Sequence, residues 1–150
     1  MPAAAHFEPA CALGDEATAP LVEAAAALAG RFQWRGGGEH GFGDRLRGEL
    51  AYVELAGPTG LAPCESLRLG LFLLAPKTFY PNHSHAADEL YYVIAGRGEW
   101  QTDGGGFVEH GPGALIEMPS FTPHALRTGF QPVLMVYAWT GDIGGEYRVL

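Results

Sequence analysis

From Glu49 to Leu150 the chain is a succession of short runs in which apolar residues alternate with other residues, separated by turns rich in glycine and proline. The clearest run, residues 67–74, carries leucine at every second position from Leu67 to Leu73. A period of two predicts strands whose side chains point alternately to opposite faces. Many short strands joined by tight turns are typical of an antiparallel sandwich or barrel. The sequence therefore predicts an all-β protein.

The N-terminal part of the chain has a different pattern. Residues 1–17 are rich in alanine and proline without a clear period, which predicts an arm that is either loose or docked. A helix is predicted from Thr18 or Ala19, because Pro20 suits the first turn and Gly30 suits the end. Its apolar stripe is Leu21, Ala25, Leu28 and Phe32. We expect this stripe to pack on the outside of a sheet.

Composition limits the classes of function. With 150 residues, 47% of them hydrophobic, the chain is expected to form one globular domain, with the arm and helix at 1–48 and a barrel at 49–150. The net charge of -8 and a single lysine argue against a nucleic-acid surface. Cys11 and Cys64 show no paired spacing, and no segment has the pattern of a secretory signal or a membrane span. We therefore expect a reduced, cytoplasmic protein that does not contact membranes.

A single strand-like stretch concentrates the residues that could carry chemistry. His83 and His85 are two positions apart, so on an extended chain their imidazoles point the same way. After a turn, alternation places Glu89 and Tyr91 on one face and Tyr92 on the other. Two imidazoles and one carboxylate can converge on a point, and divalent metal ions accept this donor set. The stretch therefore predicts a metal site with the Tyr91 phenol beside it.

Two blocks of sequence resemble the signature motifs of the cupin superfamily. They are His83-x-His85-xxx-Glu89-xxxxxx-Gly96 and Gly113-xxxxx-Pro119-xxxx-His124. The resemblance implies a single-domain jelly-roll barrel (a double-stranded β-helix), here with a short N-terminal helical extension. It also implies one divalent metal ion, Zn, Fe, Mn, Ni or Co, held by His83, His85, Glu89 and His124.

The chain departs from the cupin motifs at three places. The glycine that normally precedes the first motif is not at its usual position. Phe121 replaces a common glycine of the second motif, and Thr128 stands where that motif often ends in asparagine. None of these departures removes a predicted ligand. They concern the turns around His124.

Three aromatic residues make the resemblance more specific. Tyr80 lies five residues before His85, Tyr91 lies two after Glu89, and Trp139 lies fifteen after His124. This arrangement is similar to that of the cupin-type dimethylsulfoniopropionate (DMSP) lyases, which cleave a sulfonium zwitterion into dimethyl sulfide and acrylate. The resemblance implies that Tyr91 is the catalytic residue and that Tyr80 and Trp139 bind substrate. Tyr137 shares a strand face with Trp139, so we expect it to line the same cavity.

The residues suit this chemistry. A β-elimination removes a proton beside a carboxylate, and a divalent cation stabilises the developing charge as a Lewis acid. The cationic sulfonium suits aromatic faces, each contact being worth about 0.5–2 kcal/mol. We expect a small-molecule substrate as the partner, and, as in many cupins, a homodimer paired through sheet edges remains open.

Other functions remain open at this point. An iron dioxygenase or a sugar isomerase uses the same three-histidine, one-glutamate set in other cupins, although few basic residues face inward to hold a phosphorylated sugar. A non-enzymatic cupin that binds a small ligand is a third alternative. Among the remaining aromatic residues, we assign His40 and His110 to the surface and Trp34 and Trp100 to packing.

Overall fold

The structure is a computed structural model that describes residues 2–37, 42, 46 and 48–150. Its helices are α1 (Phe7–Cys11) and α2 (Ala19–Leu28), with short 3-10 helices at Ala3–His6 and Ala29–Arg31. In chain order the strands are β1 (Arg35–Gly36), β2 (Leu50–Gly57), β3 (Ala62–Pro63), β4 (Arg68–Leu74), β5 (Phe79–His85), β6 (Ala87–Gly96), β7 (Gly98–Thr102), β8 (Val108–His110), β9 (Leu115–Met118), β10 (His124–Arg127), β11 (Val133–Gly141) and β12 (Tyr147–Val149). The all-β prediction is confirmed.

The strands form two sheets that enclose a barrel. In the larger sheet the order is β1-β2-β4-β11-β6-β9, with β3 alongside β2, and in the smaller sheet it is β12-β5-β10-β7-β8. The consecutive strands β5 and β6 lie in different sheets and are separated only by Ala86. The chain therefore crosses from one wall of the barrel to the other in the middle of the histidine-rich stretch.

Two apolar clusters hold these layers together. The inner cluster fills the barrel and takes the inward side chains of both sheets, including Tyr91 and Trp100. The outer cluster lies between the large sheet and the helices, where Phe7 and Ala25 meet Ile94. Alternation along β6 produces this division, because successive side chains point to opposite faces.

The predicted helix is confirmed, but two residues of its stripe were wrongly assigned. Ala25 is buried against the large sheet, and Phe32 packs at the edge of the same cluster. Leu21, by contrast, is 43% exposed, and the outer cluster takes Val22 and Ala29 in place of Leu21 and Leu28. The buried face is displaced by one residue at these two positions, because the sheet beneath the helix decides which side is covered.

The N-terminal arm is docked rather than loose. Phe7 is buried, and its ring packs against the rings of Phe32 and Trp34 at centroid distances of 5.7 Å and 5.6 Å. Further along the arm, Gly14 forms a β-bridge with Ala95. The division of the chain at residue 48 stays a prediction. His40, assigned to the surface from sequence, lies outside the described residues.

Among the described helices, none combines the length and apolar character needed to cross a membrane.

Candidate active site

Three imidazoles meet inside the barrel. Strand β5 carries His83 and His85 on its inward face, and β10 begins at His124, whose Cα is the register partner of His83. The ring nitrogens that these residues offer to a ligand all lie within 4.8 Å of one another. All three side chains are buried. The predicted convergence of histidines from separate strands is therefore present in the structure.

Each imidazole is oriented by a hydrogen bond from its far ring nitrogen. The Nδ1 atoms of His83, His85 and His124 bond the backbone oxygens of Pro81, Ala87 and Thr122 at 2.7, 3.0 and 2.8 Å. A carbonyl oxygen only accepts, so each Nδ1 carries a proton, and a neutral ring held in this way turns its Nε2 lone pair towards the centre of the site. This is the orientation of metal-binding histidines.

Glu89 supplies the acidic group of the cluster. Its Oε2 atom lies 2.9 Å from His85 Nε2 and 3.4 Å from His124 Nε2. Burial alone would raise the pKa of this carboxyl, but the neighbouring imidazoles of His124 and His85 outweigh burial and hold the pKa well below its usual range. The carboxylate is therefore charged at neutral pH, as a metal ligand must be.

The donor set fits a divalent cation. Three imidazole nitrogens and one carboxylate oxygen form the mixed nitrogen and oxygen set that zinc, iron and related ions accept. Among the described residues His124 Nε2 is buried without a hydrogen-bond partner. Burial lowers the pKa of His83 to about 3, with His124 contributing, so this imidazole is neutral and free to act as a ligand. An unpaired buried nitrogen beside neutral and anionic donors is what a cation would satisfy.

Tyr91 stands on the same inward face as Glu89. It is 1% exposed, and its ring centroid lies 6.4 Å from that of His124. Burial, followed by the charge of Glu89, raises the pKa of Tyr91 well above 10. Tyr92 points to the opposite face, where it packs at the edge of the outer cluster. The predicted division of these two tyrosines between the two faces is confirmed.

Tyr80 contacts the histidines directly and has a partner, Tyr147, that the sequence analysis did not single out. Its ring stacks on His83 at a centroid distance of 4.2 Å, and its hydroxyl shares a 2.7 Å hydrogen bond with the hydroxyl of Tyr147. Tyr147 comes from β12 and also stacks on His83, with centroids 5.4 Å apart. No motif in the sequence marks this tyrosine.

A cavity of about 370 Å³ opens beside the cluster. Its wall includes Trp139, Tyr147 and Tyr137, and the indole of Trp139 lies against the ring of His85 with centroids 4.4 Å apart. Tyr137 lies further from the imidazoles, packed against Phe72 and opposite Tyr91 in the register of β6 and β11. Trp139 and Tyr137 therefore share one cavity, as the strand face predicted.

The two unusual residues of the second motif both have structural roles. Phe121 adopts a left-handed backbone with φ of 59°, a conformation that favours glycine, and its amide donates to the backbone oxygen of His85. The hydroxyl of Thr128 donates to Ala75 O at 2.6 Å and accepts from Thr78 N at 2.9 Å. The turn around His124 is thus built without the usual glycine and asparagine.

Comparison with known proteins agrees with this geometry. The family of dimethylsulfoniopropionate lyases matches residues 1–135. DddL of Cereibacter sphaeroides, named for the same activity, is 38% identical over 144 residues, which is 94% of this chain and 60% of that protein. The crystal structure of DMSP lyase DddQ from Ruegeria pomeroyi DSS-3 superposes with a TM-score of 0.87 at 30% identity, covering 99% of this chain and 76% of that chain.

More distant likeness establishes the fold. A cupin-2 domain from Rhodospirillum rubrum superposes with a TM-score of 0.57 at 16% identity, over 68% of this chain and 66% of that chain. The predicted cupin barrel is thereby confirmed. The chain spans 60% of the length of DddL and 44% of the length of the Ruegeria pomeroyi DddQ sequence, so the relatives are longer proteins. By the match over residues 1–135, the chain belongs to the dimethylsulfoniopropionate lyase family.

Proposed function

We propose that the chain is a metal-dependent carbon–sulfur lyase that cleaves dimethylsulfoniopropionate into dimethyl sulfide and acrylate. One observation carries the proposal beyond family membership. A buried phenol, Tyr91, stands on the same inward face as Glu89, beside three convergent imidazoles and next to an aromatic cavity. This combination provides a cation site, a proton acceptor and an onium-binding wall in one place.

The metal ligands in this proposal are His83, His85, Glu89 and His124. The fit rests on the buried Nε2 of His124, the three outward Nδ1 hydrogen bonds and the charged carboxylate of Glu89. A bound divalent ion, one of Zn, Fe, Mn, Ni or Co, would polarise the substrate carboxylate as a Lewis acid and favour the phenolate form of a nearby tyrosine.

Tyr91 is the catalytic base in this account. In the phenolate form, which a bound ion would favour, its oxygen takes the proton from the carbon beside the substrate carboxylate. The electron pair of that C–H bond becomes the new C=C bond, and the C–S bond breaks with its electron pair going to sulfur. Dimethyl sulfide leaves as a neutral molecule, so no acid is needed at sulfur. Burial keeps bulk water away from the phenol, and the abstracted proton stays on it until the products depart.

The aromatic residues bind the substrate in this account. Trp139 and Tyr137 hold the sulfonium end, because a cation is attracted to an aromatic face by about 0.5–2 kcal/mol per contact. Tyr80 supports the site by its stacking on His83 and by its hydrogen bond to Tyr147. A cytoplasmic location and a homodimer are further parts of the proposal.

The test uses two neighbouring tyrosines as a matched pair. Tyr91→Phe should lower dimethyl sulfide release at least 100-fold, because general-base catalysis typically contributes 10²–10⁴-fold. Tyr92→Phe changes the residue on the opposite face and should stay within about threefold of the wild type. Metal content should be equal in all three proteins. Wild-type activity in Tyr91→Phe would refute the base assignment, and a loss of metal in that variant would place Tyr91 among the ligands.

A further inference from the structure

An ion pair between a half-buried arginine and a buried carboxylate forms part of the cavity wall on the large sheet. Glu54 of β2 and Arg68 of β4 both line the cavity, and Arg68 Nη1 donates to Glu54 Oε2 at 2.7 Å. The other carboxylate oxygen, Oε1, accepts from the backbone amide of Thr59 at 2.7 Å and from its hydroxyl at 2.9 Å. Each oxygen of Glu54 is thus occupied, which fixes the direction from which it holds the guanidinium.

The same guanidinium reaches across to another part of the chain. Arg68 Nε donates to the backbone oxygen of Ile143 at 3.2 Å, a contact between residues 75 positions apart. Ile143 belongs to the loop of residues 142–146 between β11 and β12, and Gly144 and Gly145 of this loop also line the cavity. One side chain therefore joins the large sheet to the segment that forms the outer wall of the cavity.

The loop has little else of its own to hold it in place there. Its backbone hydrogen bonds within the described residues are local, from Ile143 to Gly141 and from Gly145 to Asp142, apart from Glu146, which accepts from Ala86. Glycines give the segment a wide range of accessible backbone conformations. The contact from Arg68 therefore adds a side-chain anchor to a segment whose other backbone hydrogen bonds, apart from the one at Glu146, are local.

The loop also leads directly to the site. The residue after the loop is Tyr147, which stacks on His83 and shares a hydrogen bond with Tyr80. The strand before the loop is β11, which carries Trp139, and the indole of Trp139 lies against the ring of His85. The strands on both sides of the loop therefore carry aromatic rings that contact two of the histidines.

We propose that Arg68, held by Glu54, is a positioning residue that fixes the 142–146 loop as the outer wall of the cavity and so retains a small zwitterionic onium carboxylate beside Tyr91. This inference rests on the proposed function and adds to it a residue outside the cupin motifs. Arg68 acts through the loop, so its loss weakens capture of the substrate more than the chemical step.

Arginine is needed here for a geometric reason. Its guanidinium offers N–H groups in divergent, fixed directions, and two of these point to acceptors on different segments, Glu54 and Ile143. A lysine ammonium could keep the ion pair, but it is a compact charge that does not span the two acceptors in the same geometry. Arg68→Lys is therefore the variant that separates the loop contact from the charge.

The first experiment measures hydrogen exchange of the loop in the metal-loaded protein. Arg68→Lys and Arg68→Gln should both speed amide exchange in residues 142–146 by ~10-fold or more, with the rest of the barrel unchanged. The matched control is Arg97→Gln, which breaks an ion pair with Glu109 whose side chains are 58% and 62% exposed. This control should exchange like the wild type. Wild-type protection of the loop in Arg68→Lys would overturn the proposal.

The second experiment separates capture from chemistry. With dimethylsulfoniopropionate as substrate, Arg68→Lys should raise KM by ~10-fold while kcat stays within about threefold and the metal content stays equal. A fall in kcat at unchanged KM would overturn the positioning role. Absence of turnover in every protein, wild type included, would contradict the proposed function. The amide hydrogen exchange of residues 142–146 would then still test, independently of activity, whether Arg68 holds the loop.

Discussion

The indole nitrogen of Trp139 donates a 2.7 Å hydrogen bond to Oε1 of Glu89. The two residues are register partners on β11 and β6, and the same indole lies against the ring of His85. Trp139 thus belongs both to the cavity wall and to the support of a proposed metal ligand. A carboxylate whose second oxygen is held in this way can turn only one oxygen, Oε2, towards the imidazoles.

Trp139→Phe should weaken metal binding. The change keeps an aromatic ring but removes the N–H donor to Glu89, and loss of such an outer hydrogen bond typically costs 10–100-fold in metal affinity. Competition between the protein and a chromogenic chelator for Zn²⁺ measures the effect. The matched control is Trp100→Phe, because Trp100 is also buried but its Nε1 has no hydrogen-bond partner among the described residues. Equal Zn²⁺ affinity in Trp139→Phe and the wild type would show that this hydrogen bond does not support the site.

Thr128→Val should destabilise the protein by about 2–6 kcal/mol. The substitution preserves shape but leaves Ala75 O and Thr78 N without the buried partner that Thr128 Oγ1 provides, and each unpaired buried group costs about 1–3 kcal/mol. Thr128→Ser keeps both hydrogen bonds and should lose about 1 kcal/mol or less. Urea unfolding at neutral pH measures both variants. Equal free energies of unfolding for Thr128→Val and Thr128→Ser would show that the hydroxyl of Thr128 does not stabilise this turn.

Phe121→Gly should be more stable than Phe121→Ala by about 1 kcal/mol. Both changes remove the ring, which stacks under the guanidinium of Arg148 at 4.5 Å, so that loss cancels in the comparison. What remains is the left-handed φ of 59°, which costs a residue with a Cβ about 1–2 kcal/mol and costs glycine little. Thermal or urea unfolding of the two variants gives the difference. An alanine variant as stable as the glycine variant would show that the strain is relieved elsewhere.

Glu54→Gln should lower stability at neutral pH and matter less in acid. Burial would raise the pKa of Glu54, but hydrogen bonds from Thr59 and Arg68 lower it below its ordinary value of 4.5. A depressed pKa in the folded state adds stability that is fully present above about pH 4.5 and is lost as the pH falls through the folded pKa. The wild type should therefore exceed Glu54→Gln by about 1–3 kcal/mol at pH 7.

Measuring urea unfolding at intervals from pH 7 to pH 3.5 checks this prediction. The gap between the wild type and Glu54→Gln should be constant down to about pH 4.5 and should shrink below it. A gap that widens in acid would mean that the folded pKa is raised and that the ion pair does not dominate.

The central site could be predicted because its residues are close in sequence or belong to spaced motifs. His83, His85 and Glu89 lie within seven positions, and the alternation of an extended chain fixes which face each side chain takes. The same rule separated Tyr91 from Tyr92 and placed Trp139 with Tyr137. His124 followed from the resemblance to a known motif and not from local pattern alone.

The contacts that could not be predicted from the sequence depend on which strands become neighbours in space. Tyr147 meets Tyr80 across 67 positions of chain, and Arg68 meets Ile143 across 75. Neither contact leaves a periodic or spaced signal in the sequence, because it arises only when β12 joins β5 and the loop before it closes over the cavity. The face of α2 was shifted by one residue for the same reason, since the sheet beneath the helix decides which side is buried.

The proposed function requires that a metal ion in this cluster allows the chain to cleave dimethylsulfoniopropionate. The decisive measurement is dimethyl sulfide and acrylate release by the purified protein, first stripped of metal and then given one equivalent of a divalent ion, beside His124→Ala treated in the same way. We predict no release from the stripped protein, equal amounts of both products after reconstitution, and no recovery in His124→Ala. Undiminished release from the stripped protein, or a reconstituted protein that forms neither product, would contradict the account.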